Sequence, residues 1–235
     1  MVMPVTLVLE VQGLRKNYLG LRPLRVKDLA IAAGERVAVQ GFDAAAAELL
    51  VNLVTGATLP EEGVVRTFGR NTADIATGDE WLASLDRFGI VSDRAVLLEG
   101  STLAQNLAMP FTFDIDPVEP EMLATVTELA RECGIAPEWL TQPAGSLPPD
   151  VRARAHLARG IAMGPELLVL EHPTASVAEP DRVPLAADFA RVCERRGLAA
   201  LAITLDEPFA KAFASRVLAL NGATGELKEE KKGWW

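Results

Sequence analysis

The sequence predicts an α/β domain in which helices cover a mainly parallel sheet. Short runs rich in β-forming residues alternate with helical patterns along most of the 235-residue chain. One of these runs, residues 167–170, is apolar at every position, as expected of a strand buried on both faces. Apolar residues make up 49% of the chain and charged residues 23%, and this balance favours a packed core over disorder.

The N-terminal half is predicted to contain four strands and one helix. A segment punctuated by Pro and Gly separates the first two strands, and the helix directly follows the second strand. The predicted strands are 6–12, 35–40, 63–68 and 87–91, and the predicted helix is 44–55.

The C-terminal half continues the alternation, with one interruption. A Pro- and acid-rich section at 111–120 precedes a helix whose apolar residues, such as Val126 and Leu129, lie on one face. We therefore expect a helical insertion there, within the same domain. The predicted helices are 120–133, 151–162, 181–196 and 208–213, and the predicted strands are 167–170, 199–204 and 216–220.

Charge and hydropathy exclude several classes of protein. The net charge is −9, and no basic block is large enough to bind nucleic acid directly. The N-terminus lacks a charged region before an apolar one, so no signal peptide is expected. Apolar runs are shorter than the roughly 20 residues that span a bilayer. We expect a cytoplasmic protein, or one carried to a membrane by a partner.

Residues 41–48 lie at a strand–Gly–helix junction, where a phosphate-binding loop belongs. Such a loop needs a lysine for the phosphates and a hydroxyl for Mg²⁺, and neither is present. Alanine has the highest helix propensity, so an ordinary helix start also explains this stretch. The residues of this vestigial loop are Gly41, Phe42, Asp43, Ala44, Ala45, Ala46, Ala47 and Glu48.

The order of landmarks along nearly the whole chain resembles the ATP-binding subunit of an ABC transporter. The matching segments are 34–41, 62–63, 89–91, 97–98, 102–110, 157–159, 167–170, 173–174 and 214–221. This resemblance implies one domain over residues 1–235, with a P-loop NTPase-like fold and a mainly parallel sheet. It also implies an N-terminal antiparallel β subdomain and a helical insertion at about 100–150. The segment 108–110 most resembles subunits of lipid, lipoprotein or macrolide exporters.

Departures from the family pattern fall on the residues that bind and hydrolyse ATP. In the Walker A loop, Ala46 replaces the last glycine, Ala47 the lysine and Glu48 the hydroxyl residue. The Q-loop glutamine is Asp93, and the switch histidine is Leu205.

Further replacements affect the signature and Walker B motifs. Glu171 takes the place of the Walker B aspartate, and His172 that of the catalytic glutamate. Tyr18 is retained where the family stacks an aromatic on adenine, although simple packing also explains it. The signature Leu-Ser-Gly-Gly-Gln is replaced by Leu147, Pro148, Pro149, Asp150 and Val151.

These replacements predict a pseudo-ATPase. Glu48 adds negative charge beside the phosphates, and Asp43, Asp93 and Asp150 increase the repulsion. A like-charge contact in a surface cleft costs on the order of 4 kcal/mol. No cofactor is therefore expected; ATP and Mg²⁺ would bind if the chain is instead a divergent active ATPase.

The resemblance also implies partners. It implies docking to a membrane permease through the Q-loop region, at the inner face of the cell membrane. It further implies dimerisation, either with itself or with an active ATPase subunit. A soluble scaffold without a permease is a third interpretation.

A metal site is a narrower hypothesis. Glu48, Asp93, Glu171 and His172 could converge and bind a divalent ion without nucleotide. Ion pairs and hydrogen bonds explain such groups more often. His156 is expected to face solvent from an Arg-rich helix. Trp234 and Trp235 either mark a partner surface or a membrane interface, or fold back over a nearby groove.

Overall fold

The computed structural model describes residues 6–229. Trp234 and Trp235, for which the sequence left two interpretations, lie outside the described residues.

A four-stranded antiparallel sheet forms the N-terminal part of the fold, in the order β2-β1-β4-β5. The sequence prediction missed β2, although buried Leu24 and Val26 alternate there with exposed Arg25 and Lys27, the period of a half-buried strand. The strands are β1 Leu7–Lys16, β2 Leu24–Ala32, β4 Glu62–Thr67 and β5 Arg70–Asn71.

A six-stranded sheet forms the centre of the fold, in the order β10-β9-β3-β8-β7-β6. Its inner pairs are parallel, and only the edge strand β10 runs antiparallel within this sheet. Every residue of β7 and β8 is buried, which confirms the prediction for residues 167–170. The strands are β3 Arg36–Gln40, β6 Phe88–Val91, β7 Leu167–Glu171, β8 Ala199–Ile203, β9 Arg216–Asn221 and β10 Glu226–Glu229.

Seven helices pack around the sheets within residues 6–229. Helices α2 and α3 were not predicted, since with eight and six residues each is too short to show a helical period. The helices are α1 Ala44–Val54, α2 Gly78–Leu85, α3 Leu103–Ala108, α4 Pro120–Glu132, α5 Pro149–Ile161, α6 Glu179–Arg196 and α7 Glu207–Phe213.

The central sheet separates two hydrophobic clusters. Alternate residues of each strand point to opposite faces, so Leu167 and Val169 pack with α1 and the antiparallel sheet. Leu168 and Leu170 pack instead with the helices α3 to α7. The parallel strands therefore lie in the middle of a layered α/β domain, as predicted, and their C-terminal ends all reach one edge.

Candidate functional site

A cleft of about 780 Å³ opens at the C-terminal ends of β3, β6, β7 and β8. In open α/β sheets, ligands bind outside this edge of the strands. The cleft is lined by the start of α1 and by the segments that follow β6, β7 and β8. The predicted site residues that line it are Ala44, Ala45, Glu48, Asp93, Glu171, His172 and Leu205.

Of the remaining residues of the vestigial loop, Gly41 is exposed, Asp43 caps the helix, and the others face the protein interior. Phe42 and Ala47 are fully buried in the cluster beneath α1, and Ala46 is buried beside them. Ala47 stands where the family pattern has its lysine. No cationic side chain therefore reaches the cleft from this turn of α1.

Asp43 caps the N-terminus of α1. Its Oδ1 accepts a hydrogen bond from the Ala46 N–H at 2.8 Å, and its backbone oxygen accepts one from the Ala47 N–H at 2.8 Å. The first amides of a helix are free to bind anions only when no side chain satisfies them. Here the chain itself occupies the Ala46 amide with a carboxylate.

Arg94 was not singled out from the sequence, yet it connects two of the predicted residues. Its Nη2 and Nε donate to Glu171 Oε2 at 2.6 and 3.1 Å, and its Nη1 donates to Glu48 Oε1 at 3.0 Å. The Glu171 side chain is only 8% exposed, so this carboxylate needs a partner. The pairs span 46 and 77 residues of sequence, a separation that no local pattern reveals.

A second ion pair lies across the cleft. Asp206 caps α7 by accepting from the Phe209 N–H at 2.9 Å. Its other oxygen accepts from the Thr174 hydroxyl at 2.9 Å and lies 3.4 Å from Arg182 Nε. Leu205, next to it, is 63% exposed and presents an apolar side chain where an imidazole was expected from the family pattern.

The cleft therefore carries more negative than positive charge. Four carboxylates and two guanidinium groups line the cleft. Each guanidinium group is already paired with at least one of these carboxylates. Among the residues that the structure describes at the cleft, no lysine is present. A triphosphate would meet few free donors in this arrangement.

No protein-family model matches the chain. Curated relatives do match over most of the chain. The Fe(3+) ions import ATP-binding protein FbpC 2 of Rhodococcus jostii is 26% identical over 92% of this chain and 60% of its own length. The hemin import ATP-binding protein HmuV of Rhodopseudomonas palustris is 29% identical over 83% of this chain and 72% of its own. The macrolide export ATP-binding/permease protein MacB of Photorhabdus laumondii is 28% identical over 91% of this chain and 33% of its own.

Solved structures agree in fold. A dimeric bacterial ABC transporter cassette, MJ0796, superposes with a TM-score of 0.77 at 21% identity, over 97% of this chain and 100% of that one. CbiO1 of Clostridium perfringens gives 0.78 at 19% identity, over 95% and 87%. The chain therefore has the fold of an ABC transporter cassette. It spans about 60% of the length of the first curated relatives it matches.

The segment that the sequence predicted as a signature region lies at the start of α5, away from the cleft. Leu147 and Val151 are buried and anchor the segment, whereas Pro149 is exposed. Pro148 precedes the helix and Pro149 is its first residue, so neither supplies an N–H at the helix start. Asp150 lies in the first turn, where its carboxylate faces the positive end of the helix dipole.

Tyr18 also lies outside the cleft. Its ring packs against the cluster beneath α1, and a Cβ at Gly20 would come within 2.4 Å of it. Burial, and secondarily the charge of Asp43, raise the pKa of the Tyr18 hydroxyl. The ring is thus covered in part by its own loop, which favours the packing interpretation over adenine stacking.

His172 has an unusual backbone conformation at the end of β7. Its φ is 42°, in the left-handed region that non-glycine residues rarely adopt. Its N–H donates to the Ile203 oxygen at 2.9 Å, and its Nε2 is buried with no hydrogen-bond partner in residues 6–229. No carboxylate therefore orients that nitrogen as a general base.

The metal hypothesis gains no support from the geometry. Across residues 6–229, no three His, Cys, Asp or Glu side chains are grouped closely enough to hold an ion. Arg94 forms ion pairs with two of the proposed ligands, Glu48 and Glu171, and Asp93 is exposed.

Within residues 6–229, no helix combines the length and apolarity needed to cross a bilayer.

The prediction that His156 faces solvent is wrong. The residue is 5% exposed. Its neighbours in α5, Ala155 and Leu157, are both buried in the hydrophobic cluster that α5 shares with α3, α4, α6 and α7. The arginines of α5 suggested an exposed helix, but Arg154 reaches inward to Asp188. Burial lowers the pKa of His156, and Asp93 offsets this effect in part.

Proposed function

We propose that this cassette is a pseudo-ATPase that serves an ABC transporter as a structural or regulatory subunit. The observation that supports the proposal most strongly is the pairing of Arg94 with both Glu48 and Glu171. It neutralises the guanidinium group that contacts α1, in a cleft where the family pattern would place a lysine. The chain's own carboxylates thus occupy the donors that a nucleotide would need.

The energetic balance supports weak nucleotide binding. Each charge-assisted hydrogen bond from a lysine contributes about 1.5–3 kcal/mol, and Ala47 supplies none. A close like-charge contact with Asp93 opposes binding by on the order of 4 kcal/mol, whereas the ion pair with Arg94 offsets the charge of Glu48. These contributions favour exclusion of Mg²⁺-ATP, so the residues do not fit that cofactor.

Partners follow from the family. We propose that the cassette docks on a membrane permease at the inner face of the membrane and pairs with itself or with an active cassette. Its relatives' printed names include both import and export proteins, so the proposal concerns either direction of transport. In a mixed dimer, the start of α5 would offer Pro148, Pro149 and Asp150 in place of the signature's donors, and one composite site would be inert.

The test is nucleotide binding measured without turnover. We expect calorimetry to show no saturable binding at about 1 mM Mg²⁺-ATP, the upper end of ordinary KM values. Glu48→Gln should bind no better, because Arg94 keeps Glu171 and Ala47 still supplies no charge. Glu166→Gln, far from the cleft on an exposed pair with Arg87, is the matched control, and a hydrolysing cassette is the positive control.

A divergent but active ATPase is the opposite outcome. Its signs would be tight Mg²⁺-ATP binding, or phosphate release that disappears in Glu171→Ala or His172→Ala. Isolation from the native membrane tests the partner proposal separately. We expect a polytopic membrane protein to co-purify, whereas recovery with soluble partners alone would favour a scaffold.

A further inference from the structure

We infer that Arg94 is a conformational clamp that holds the β6–α3 loop, residues 92–101, in one position without any ligand. The clamp fixes where this loop presents two exposed apolar side chains, Val96 and Leu98. The inference concerns the shape of the loop, so it goes beyond the proposed loss of ATP hydrolysis and does not depend on it.

The clamp joins three elements through one side chain. Arg94 belongs to the loop, Glu48 to the first turns of α1, and Glu171 to the end of β7. The pair with Glu171 is sheltered, since that carboxylate is 8% exposed, whereas Glu48 is 50% exposed. Salt therefore screens the contact with Glu48 more than the contact with Glu171.

Two further contacts hold the loop at every second residue beyond Arg94. Arg159 of α5 donates from Nη1 to the Val96 oxygen at 2.8 Å. Asn106 of α3 accepts from the Leu98 N–H at 2.8 Å and donates to the Leu98 oxygen at 3.1 Å. Both contacts are made to backbone atoms of the loop, so a side-chain substitution in the loop leaves them in place. The ion pairs of Arg94 are made by a loop side chain, so a substitution at Arg94 removes them.

The backbone around Arg94 forms a local turn that the clamp keeps in place. The Arg94 N–H donates to the Ser92 hydroxyl at 3.2 Å, and the Ala95 N–H to the Ser92 oxygen at 3.0 Å. The Val96 N–H donates to the Arg94 oxygen at 3.0 Å. These amides exchange with solvent only when the turn opens, so their exchange rate reports the clamp.

The side chains of the loop alternate in direction. Leu97 is buried in the cluster shared with α3 and α5, while Val96 is 69% exposed and Leu98 44%. A clamped loop therefore displays Val96 and Leu98 in a fixed orientation, and an unclamped loop would not.

Hydrogen exchange of the full-length chain, without nucleotide, tests the clamp. For Arg94→Gln we expect the rate of amide exchange at residues 93–98 to rise about tenfold. A factor of this size corresponds to the free energy of one charge-assisted hydrogen bond. Arg87→Gln is the matched control. It removes a bidentate ion pair between Arg87 and Glu166, which lie just before the N-terminal ends of β6 and β7, away from the cleft. It should leave exchange at residues 93–98 unchanged.

A second variant covers a failure of Arg94→Gln to fold. Arg94→Lys keeps the charge but not the planar fork that reaches two carboxylates, so we expect an intermediate rise of about threefold. Wild-type exchange at residues 93–98 in either folded variant would overturn the inference. An equal rise in the buried strands β7 and β8 would do the same, because it would show global loss of stability.

Discussion

Asn106 is fully buried in α3, and its side chain provides a stringent test of how the β6–α3 loop is held. Its Oδ1 accepts from the Leu98 N–H at 2.8 Å. Its Nδ2 donates to the oxygens of Leu98, Ser101 and Thr102 at 3.1, 3.4 and 3.0 Å. Asn106→Leu keeps the side chain close in volume and removes all four contacts.

The cost follows from what each backbone group retains. The Ser101 oxygen keeps the Ala144 N–H, the Thr102 oxygen keeps the Asn106 N–H, and the Leu98 oxygen keeps the Ser101 N–H. Only the Leu98 N–H loses its partner within residues 6–229. One orphaned amide costs about 1–3 kcal/mol, and each lost bond about 1 kcal/mol, partly offset by apolar burial. We expect Asn106→Leu to lower the free energy of unfolding by about 2–4 kcal/mol.

Urea unfolding measures this change from the shift in midpoint at constant slope. Asn71→Leu is the control, since the half-buried Asn71 side chain makes one solvent-exposed hydrogen bond, from the Ala73 N–H. It should cost less than about 1 kcal/mol. A loss below about 0.5 kcal/mol for Asn106→Leu would refute the reasoning, because it would show that the amide is satisfied by water.

Two other predictions concern the cap of α1 and the buried imidazole of α5. Asp43→Ala should cost about 1 kcal/mol in urea unfolding, because the Ala46 N–H loses its cap; an unchanged midpoint would show that this amide needs no carboxylate. Because burial lowers the pKa of His156, the unfolded chain takes up a proton first as the pH falls below about 6.5. Stability should then decline by at most about 1.4 kcal/mol per pH unit, until the pH reaches the lowered pKa of the folded state. His156→Leu should flatten this decline, and an identical pH profile in the variant would contradict it.

Much of the fold was predictable because its signals are local. The alternation of strands and helices set the order of elements, and the apolar run at 167–170 indicated a strand covered on both faces. Strand β2 was missed because the alternation of Leu24, Arg25, Val26 and Lys27 is short and breaks at exposed Asp28, next to a segment rich in Gly and Pro. Residues 44–55 were predicted as a helix from propensity, and the structure places α1 at Ala44–Val54.

The candidate site was predictable in its membership but not in its connections. Local sequence patterns place Glu48, Glu171 and His172 after a parallel strand or at the start of the next helix, and such residues meet at one edge of the sheet. It could not determine which charges pair, because a salt bridge depends on side-chain distance rather than on any sequence period. Only the tertiary structure places Arg94 between carboxylates 46 and 77 residues away, and buries His156 on a helix rich in arginine. The physical reason is that periodicity encodes which face of an element is apolar, while packing decides which polar groups lose their water and must find each other.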